Sequence, residues 1–157
     1  MTMLGFAGQR FQKVFYFAYG GTGDGSSAQA PLSMAADNAT VMDIPAGTLI
    51  DKVYCIVDTA VTGTTNFDIG DDDDPDGFLD GSLSVTLGTP GMYGYNAKVA
   101  GDYLRVQTAG ATDALDIYVV PTGKYYAAAG KELKMDLTTA ATAGALRVVV
   151  EGIYFGR

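Results

Sequence analysis

The stretch Leu49-Ile50-Asp51-Lys52-Val53-Tyr54-Cys55-Ile56-Val57-Asp58-Thr59-Ala60-Val61 decides the fold class. It is rich in β-branched and aromatic residues, which fit a pleated, half-buried surface. From Val53 onward the side chains separate by parity. Val53, Cys55 and Val57 share one face, and Tyr54, Ile56 and Asp58 share the other. Turn chemistry brackets the run. Pro45-Ala46-Gly47 precedes it, with a proline that pre-sets φ, and Thr62-Gly63-Thr64 follows it.

The same alternation recurs on both sides. Toward the N-terminus, residues 40–44 form a short strand. Residues 11–19 form an aromatic-rich one that ends at Gly20-Gly21. Toward the C-terminus, strands are expected over residues 66–69, 82–87, 103–108, 114–120, 131–137 and 146–155. Within them Leu115, Ile117 and Val119 share a face. So do Leu133, Met135 and Leu137, and so do Leu146, Val148, Val150 and Tyr154. The expected core comprises Val53, Cys55, Val57, Leu115, Ile117, Val119, Leu133, Met135, Val148 and Val150.

Gly, Thr, Val and Tyr are plentiful and Glu is scarce, the reverse of helix preference, and the alanine-rich pieces Ala127-Ala128-Ala129 and Ala140-Ala141-Thr142-Ala143 stop at Gly130 and Gly144, so both read as loops. Short strands without βαβ alternation predict an all-β protein: an antiparallel β-sandwich, jelly-roll-like. The chain has 157 residues, which favours one domain. A chain of this size buries about 70% of its unfolded surface, enough for a core without staples.

Composition removes several function classes. Histidine is absent, which excludes Ser-His-Asp and Cys-His catalysis and histidine-ligated metals. The single cysteine, Cys55, cannot pair within the chain and reads as a small buried apolar residue. The net charge of −8, with no basic cluster, argues against nucleic acid and against an anionic membrane. Gly20-Gly21-Thr22-Gly23-Asp24-Gly25 lacks the Lys-Ser/Thr and the helix of a phosphate loop. No secretory signal is expected at the start, so synthesis in a cytosol is. No catalytic residue is assigned, and the chain is expected not to be an enzyme.

Two stretches carry other chemistry. Asp71-Asp72-Asp73-Asp74-Pro75-Asp76-Gly77-Phe78-Leu79-Asp80 contains Asp72-x-Asp74-x-Asp76-Gly77, the opening of a calcium loop. Asp72, Asp74, Asp76 and Asp80 are its candidate ligands. Leu83 stands where the bidentate Glu would be, and the flanks read as strands, so plain solvation of the loop stays open beside calcium binding. Residues 1–10 form the second stretch, an N-terminal arm ahead of a sandwich at 11–157. Met1, Met3, Leu4 and Phe6 make it apolar for a free tail. It reads either as a fraying edge strand or as an arm that docks on a neighbouring subunit.

A resemblance adds to these readings. Its residues are Ile44-Pro45-Ala46-Gly47-Thr48-Leu49-Ile50, Val57-Asp58-Thr59-Ala60-Val61-Thr62-Gly63-Thr64 and Phe67-Asp68-Ile69-Gly70. Asp74-Pro75-Asp76-Gly77-Phe78-Leu79-Asp80 and Ala143-Gly144-Ala145-Leu146-Arg147-Val148-Val149-Val150-Glu151-Gly152-Ile153-Tyr154 complete it. Over residues 44–80 and 143–155 the chain resembles virion structural proteins of tailed bacteriophages, capsid decoration (cement) proteins in particular. The resemblance implies a head-bound protein that bridges capsomers, with the major capsid protein and further copies of itself, as a trimer, for partners. It implies a virion location and no cofactor beyond the calcium already considered. A tail, neck or baseplate component is the first alternative, and a calcium-dependent carbohydrate-binding or adhesion module is the second.

Overall fold

The computed structural model describes residues 8–35, 39–64, 67–79, 87–93 and 123–156. Nine strands and no helix make up their regular structure: β1 (Gln9–Ala18), β2 (Leu32–Ser33), β3 (Ala39–Ile44), β4 (Thr48–Thr62), β5 (Phe67–Gly70), β6 (Gly91–Tyr93), β7 (Lys124–Tyr126), β8 (Lys131–Leu137) and β9 (Ala143–Tyr154). The protein is an all-β sandwich. One sheet runs β2-β1-β9-β4-β6, with β7 also on β4, and the other runs β3-β8-β5. All pairings are antiparallel except the two-residue contact of β1 with β2. The expected strands at 82–87, 103–108 and 114–120, and with them the jelly-roll order, lie outside the described residues, Leu87 apart. So do Leu115, Ile117 and Val119.

The stretch that decided the fold class is the spine of the larger sheet. β4 pairs with β9 along its length, from Thr48 opposite Tyr154 to Thr62 opposite Ala143. On its other side β7 takes Thr48 to Ile50 and β6 takes Cys55 to Val57. Simple alternation would put Ile50 and Val53 on opposite faces, yet both are fully buried. The register shifts between Ile50 and Lys52, and a bulge there adds the one residue needed to turn both inward.

Every expected core residue that is described is buried: Val53, Cys55, Val57, Leu133, Met135, Val148 and Val150. Burial pushes the Cys55 thiol up to about 12, so it packs as an apolar group. Phe17, Phe67, Phe78, Ile44 and Ile69 fill the space between the sheets. Gly152 faces inward on β9 and makes room there. A Cβ on it would lie 2.2 Å from the Leu49 carbonyl oxygen and 2.8 Å from the Phe11 ring.

One finding differs from the sequence reading. β1 begins at Gln9, and Gln9 and Arg10 pair with Tyr154 and Ile153 of β9. Tyr54 and Val149 face outward but are buried. They sit side by side in register, beside the long side chains of Glu151 and Lys52, which form an ion pair at 3.6 Å. Such stems cover apolar surface while their heads stay wet. No helix among the described residues is long and apolar enough to cross a membrane.

Candidate functional site

The acidic stretch leaves β5 at Gly70 and folds back on it. A Cβ on Gly70 would lie 2.1 Å from the Asp74 carbonyl oxygen, so only glycine allows this return. Asp71 organises the corner. Its Oδ1 accepts the main-chain N–H groups of Asp73 at 3.0 Å and Asp74 at 3.1 Å, an Asx-type turn. Its Oδ2 accepts the Tyr126 hydroxyl at 2.5 Å and the Lys124 ammonium at 2.6 Å. The Asp71 side chain is wholly buried. Because Lys124 and Tyr126 belong to β7 of the larger sheet, this carboxylate ties the loop of the smaller sheet to its partner layer.

Lysines meet the neighbouring aspartates. Asp73 accepts from Lys131 at 2.8 Å and Lys124 at 3.1 Å. The hydrogen bond from Lys131 and then that from Lys124 hold the Asp73 carboxyl below its ordinary range. Asp72 pairs with Lys134, and that bond raises the lysine. Of the four candidate calcium ligands, Asp72 is therefore engaged by a cation of the chain itself. Asp74 caps the turn through its main chain, accepting from Asp71 at 3.0 Å and Gly77 at 3.1 Å. Asp76 is exposed, and Asp80 lies outside the described residues. Among the described residues no three acidic, cysteine or histidine side chains converge as a metal ion would need.

Sequence reasoning missed the central member of this corner. Asp71 precedes the alternating pattern, and its partners stand more than fifty residues away. The available signal was a buried strand leading directly into Asp71, whose short side chain can bond its own main chain two residues on.

The second feature lies at the end of the sandwich where β9 finishes. Tyr125, Tyr154 and Phe155 are exposed there. The rings of Tyr125 and Phe155 meet edge to face with centroids 6.2 Å apart. Gly47, in a left-handed turn at φ 81°, holds this end together. Its N–H donates to Tyr126 at 2.7 Å and its carbonyl accepts from Phe155 at 2.9 Å.

Beside these rings a cleft of about 270 Å³ opens between the layers. Gln9, Phe11 and Lys13 of β1 form one wall, Met42 and Pro45 the other, and Thr48 and Tyr154 also line it. Met1, Met3, Leu4 and Phe6, the expected arm contacts, lie outside the described residues. The described chain begins at Gly8, one residue from the cleft wall.

No family model matches the chain, and no curated protein does. Among solved structures the chain is similar to one in the capsid asymmetric unit of cyanophage Pam1. The TM-score is 0.52 at 16% identity, over 98% of this chain and 91% of that one. It also aligns with a chain in the capsid of Ralstonia phage GP4, with a TM-score of 0.47 at 14% identity, over 100% of this chain and 92% of that one. The likeness of fold rests on the first.

Proposed function

We propose that the chain is a non-enzymatic structural protein of a bacteriophage head, a decoration protein that binds the outer face of the shell. Made in the host cytoplasm and assembled as a homotrimer, it bridges neighbouring units of the major capsid protein. A protein that binds only the closed shell stabilises it by mass action. A patch of about 800 Å² on each partner is the usual size for a stable contact of this kind.

The observation that carries the reading is the fold shared with a capsid chain of cyanophage Pam1 across 98% of this chain. Other features support it. The exposed rings at the β9 end, Tyr125, Tyr154 and Phe155, are of the kind that anchor interfaces. The acidic corner is clamped by its own lysines, which suits a rigid building part. The net charge of −8 keeps such a part soluble and away from the packaged genome.

Sedimentation tests the reading. The purified protein is mixed with emptied heads that lack it. It is expected to pellet with them to a fixed copy number per head and to raise the temperature at which they break. Failure to pellet at micromolar concentration, or labelling confined to the tail in electron micrographs of virions, would overturn it.

A further inference from the structure

The cleft lined by β1 and β3 lies beside two strand edges. Both strands that flank it are open. β3 is the edge of its sheet, and β2 covers β1 only at Phe17 and Ala18. Gly25 also accepts the Tyr16 N–H at 2.9 Å, which among the described residues leaves Gln9 to Phe15 of β1, and β3, open to a further strand. Edges of this kind accept an added strand, whose main chain bonds the edge while alternate side chains fill pockets.

The cleft also has the chemistry of a side-chain pocket. Its volume of about 270 Å³ falls just under the range of roughly 300–1,000 Å³ that takes drug-sized ligands. Phe11, Met42, Pro45 and Tyr154 make its walls apolar, with Lys13 and Gln9 as its polar members. Thr48 lines it too. That residue is 1% exposed, and its buried hydroxyl has no hydrogen-bond partner among the described residues. Such an orphan is uncommon in a finished interior, and an incoming main chain would supply the missing partner.

The chain holds one segment that suits this cleft. Met1-Thr2-Met3-Leu4-Gly5-Phe6-Ala7 has four large apolar side chains and no charged one. We propose that the cleft binds residues 1–6 of a second copy, so that each subunit places its N-terminal segment between β1 and β3 of a neighbour. A second copy is favoured over the chain's own segment by where the described chain begins. A Cβ on Gly8 would meet Ile153 Cγ2 at 2.3 Å and the Phe155 ring at 2.8 Å. Those are outward-facing neighbours, as Cβ directions alternate along a strand, while β1 runs from Gln9 through Phe11 and Lys13 along the cleft wall, so the described chain joins the sheet at its end. Return to the same cleft would require the chain to reverse around the sheet end. Seven residues reach up to about 25 Å, which is enough to enter a subunit in contact. The proposal rests on the reading of the protein as a self-assembling virion part and names the contact by which copies join.

Disulfide trapping between two full-length versions tests it. One carries Leu4→Cys, and the other carries Pro45→Cys and a mass tag. Each has one new thiol, and Cys55 is buried. Mixed and oxidised, they should give the mixed disulfide of the two versions. Ala140→Cys in place of Pro45→Cys should not, because residue 140 is exposed in the loop before β9, at the opposite end of that strand from Tyr154.

A companion full-length variant, Leu4→Asp with Phe6→Asp, should keep the circular dichroism of the parent and sediment as a monomer. A mixed disulfide as strong with the Ala140→Cys partner, or none with either, would overturn the proposal. So would a disulfide that forms only within one chain carrying both Leu4→Cys and Pro45→Cys. Head binding is read separately. Trapping without head binding would sink the head assignment and leave the exchange standing. Head binding without trapping would do the reverse.

Discussion

Replacing Asp71 by Ala should unfasten the two layers at the acidic corner. The carboxylate is fully buried. It accepts hydrogen bonds from the main chain of Asp73 and Asp74, from Tyr126 and from Lys124. Lys124 would keep its charge with only a fifth of its side chain exposed. It would still have Asp73 at 3.1 Å, but that carboxylate is half exposed and already shared with Lys131. Removing one partner of a buried pair costs about 3–5 kcal/mol. For a chain of this length each kcal/mol moves the melting temperature by about 2–4 °C, so the variant should melt about 6–20 °C lower. Differential scanning calorimetry reads this directly. Asp76→Ala is the control, since Asp76 is exposed and such substitutions stay within about 0.5 kcal/mol. If Asp71→Ala melts within about 2 °C of the parent, the corner does not fasten the sheets and the reasoning fails.

Other outcomes follow from the same geometry. Gly152→Ala should lower stability by about 1–3 kcal/mol in urea unfolding, because the new Cβ meets the Leu49 carbonyl and the Phe11 ring and the interior is already full; an unchanged midpoint would contradict that packing. The lowered Asp73 carboxyl adds stability above its unfolded value of about 3.9, and this stability is lost as pH falls through the folded value. Melting temperature should therefore drop below about pH 4, and less steeply in Asp73→Asn; parallel pH profiles would count against the lysine contacts. Calcium at millimolar concentration should leave the melting temperature unchanged, since Asp71, Asp72 and Asp73 already meet Lys124, Lys131 and Lys134. A rise that chelator reverses, and that Asp74→Asn with Asp76→Asn abolishes, would decide for the calcium reading of the loop.

Local alternation made most of the described fold legible. The expected strand 131–137 matches β8 to the residue, that at 40–44 starts one residue after β3, and that at 49–61 falls one residue short of β4 at each end. β8 has one buried face with a clean period of two, and β4 keeps the alternation of faces from Val53 to Val57, so their sequences carry the pattern. β2, β6 and β7 span only two or three residues. Such short pieces exist because a long neighbour offers an edge, which is tertiary information. The bulge at Asp51 was hidden for a related reason. Two charged residues interrupt the apolar pattern there, and only the partner strand shows that the register steps.

The acidic corner was legible as a place and not as a device. A run of aspartates announces a loop with unusual charge. Whether the charge is met by solvent, a metal or lysines depends on which strands lie alongside, and those lysines are distant in sequence. The aromatic end was hidden in the same way, because Tyr125 of β7 and Phe155, just past β9, are brought together only in the folded sheet, where both strands pair with β4. The arm is an expectation from composition alone, four apolar side chains with no strand pattern to bury them, and those side chains lie outside the described residues.

The head assignment is tested most directly by an electron cryo-microscopy map of the virion head resolved to individual strands. The account predicts a two-layer sandwich of this topology at regular positions on the outer face of the shell, with its β9 end, carrying Tyr125, Tyr154 and Phe155, in contact with neighbouring protein. Heads whose outer density is fully explained by other chains, with this sandwich found only in the tail or nowhere in the particle, would contradict it.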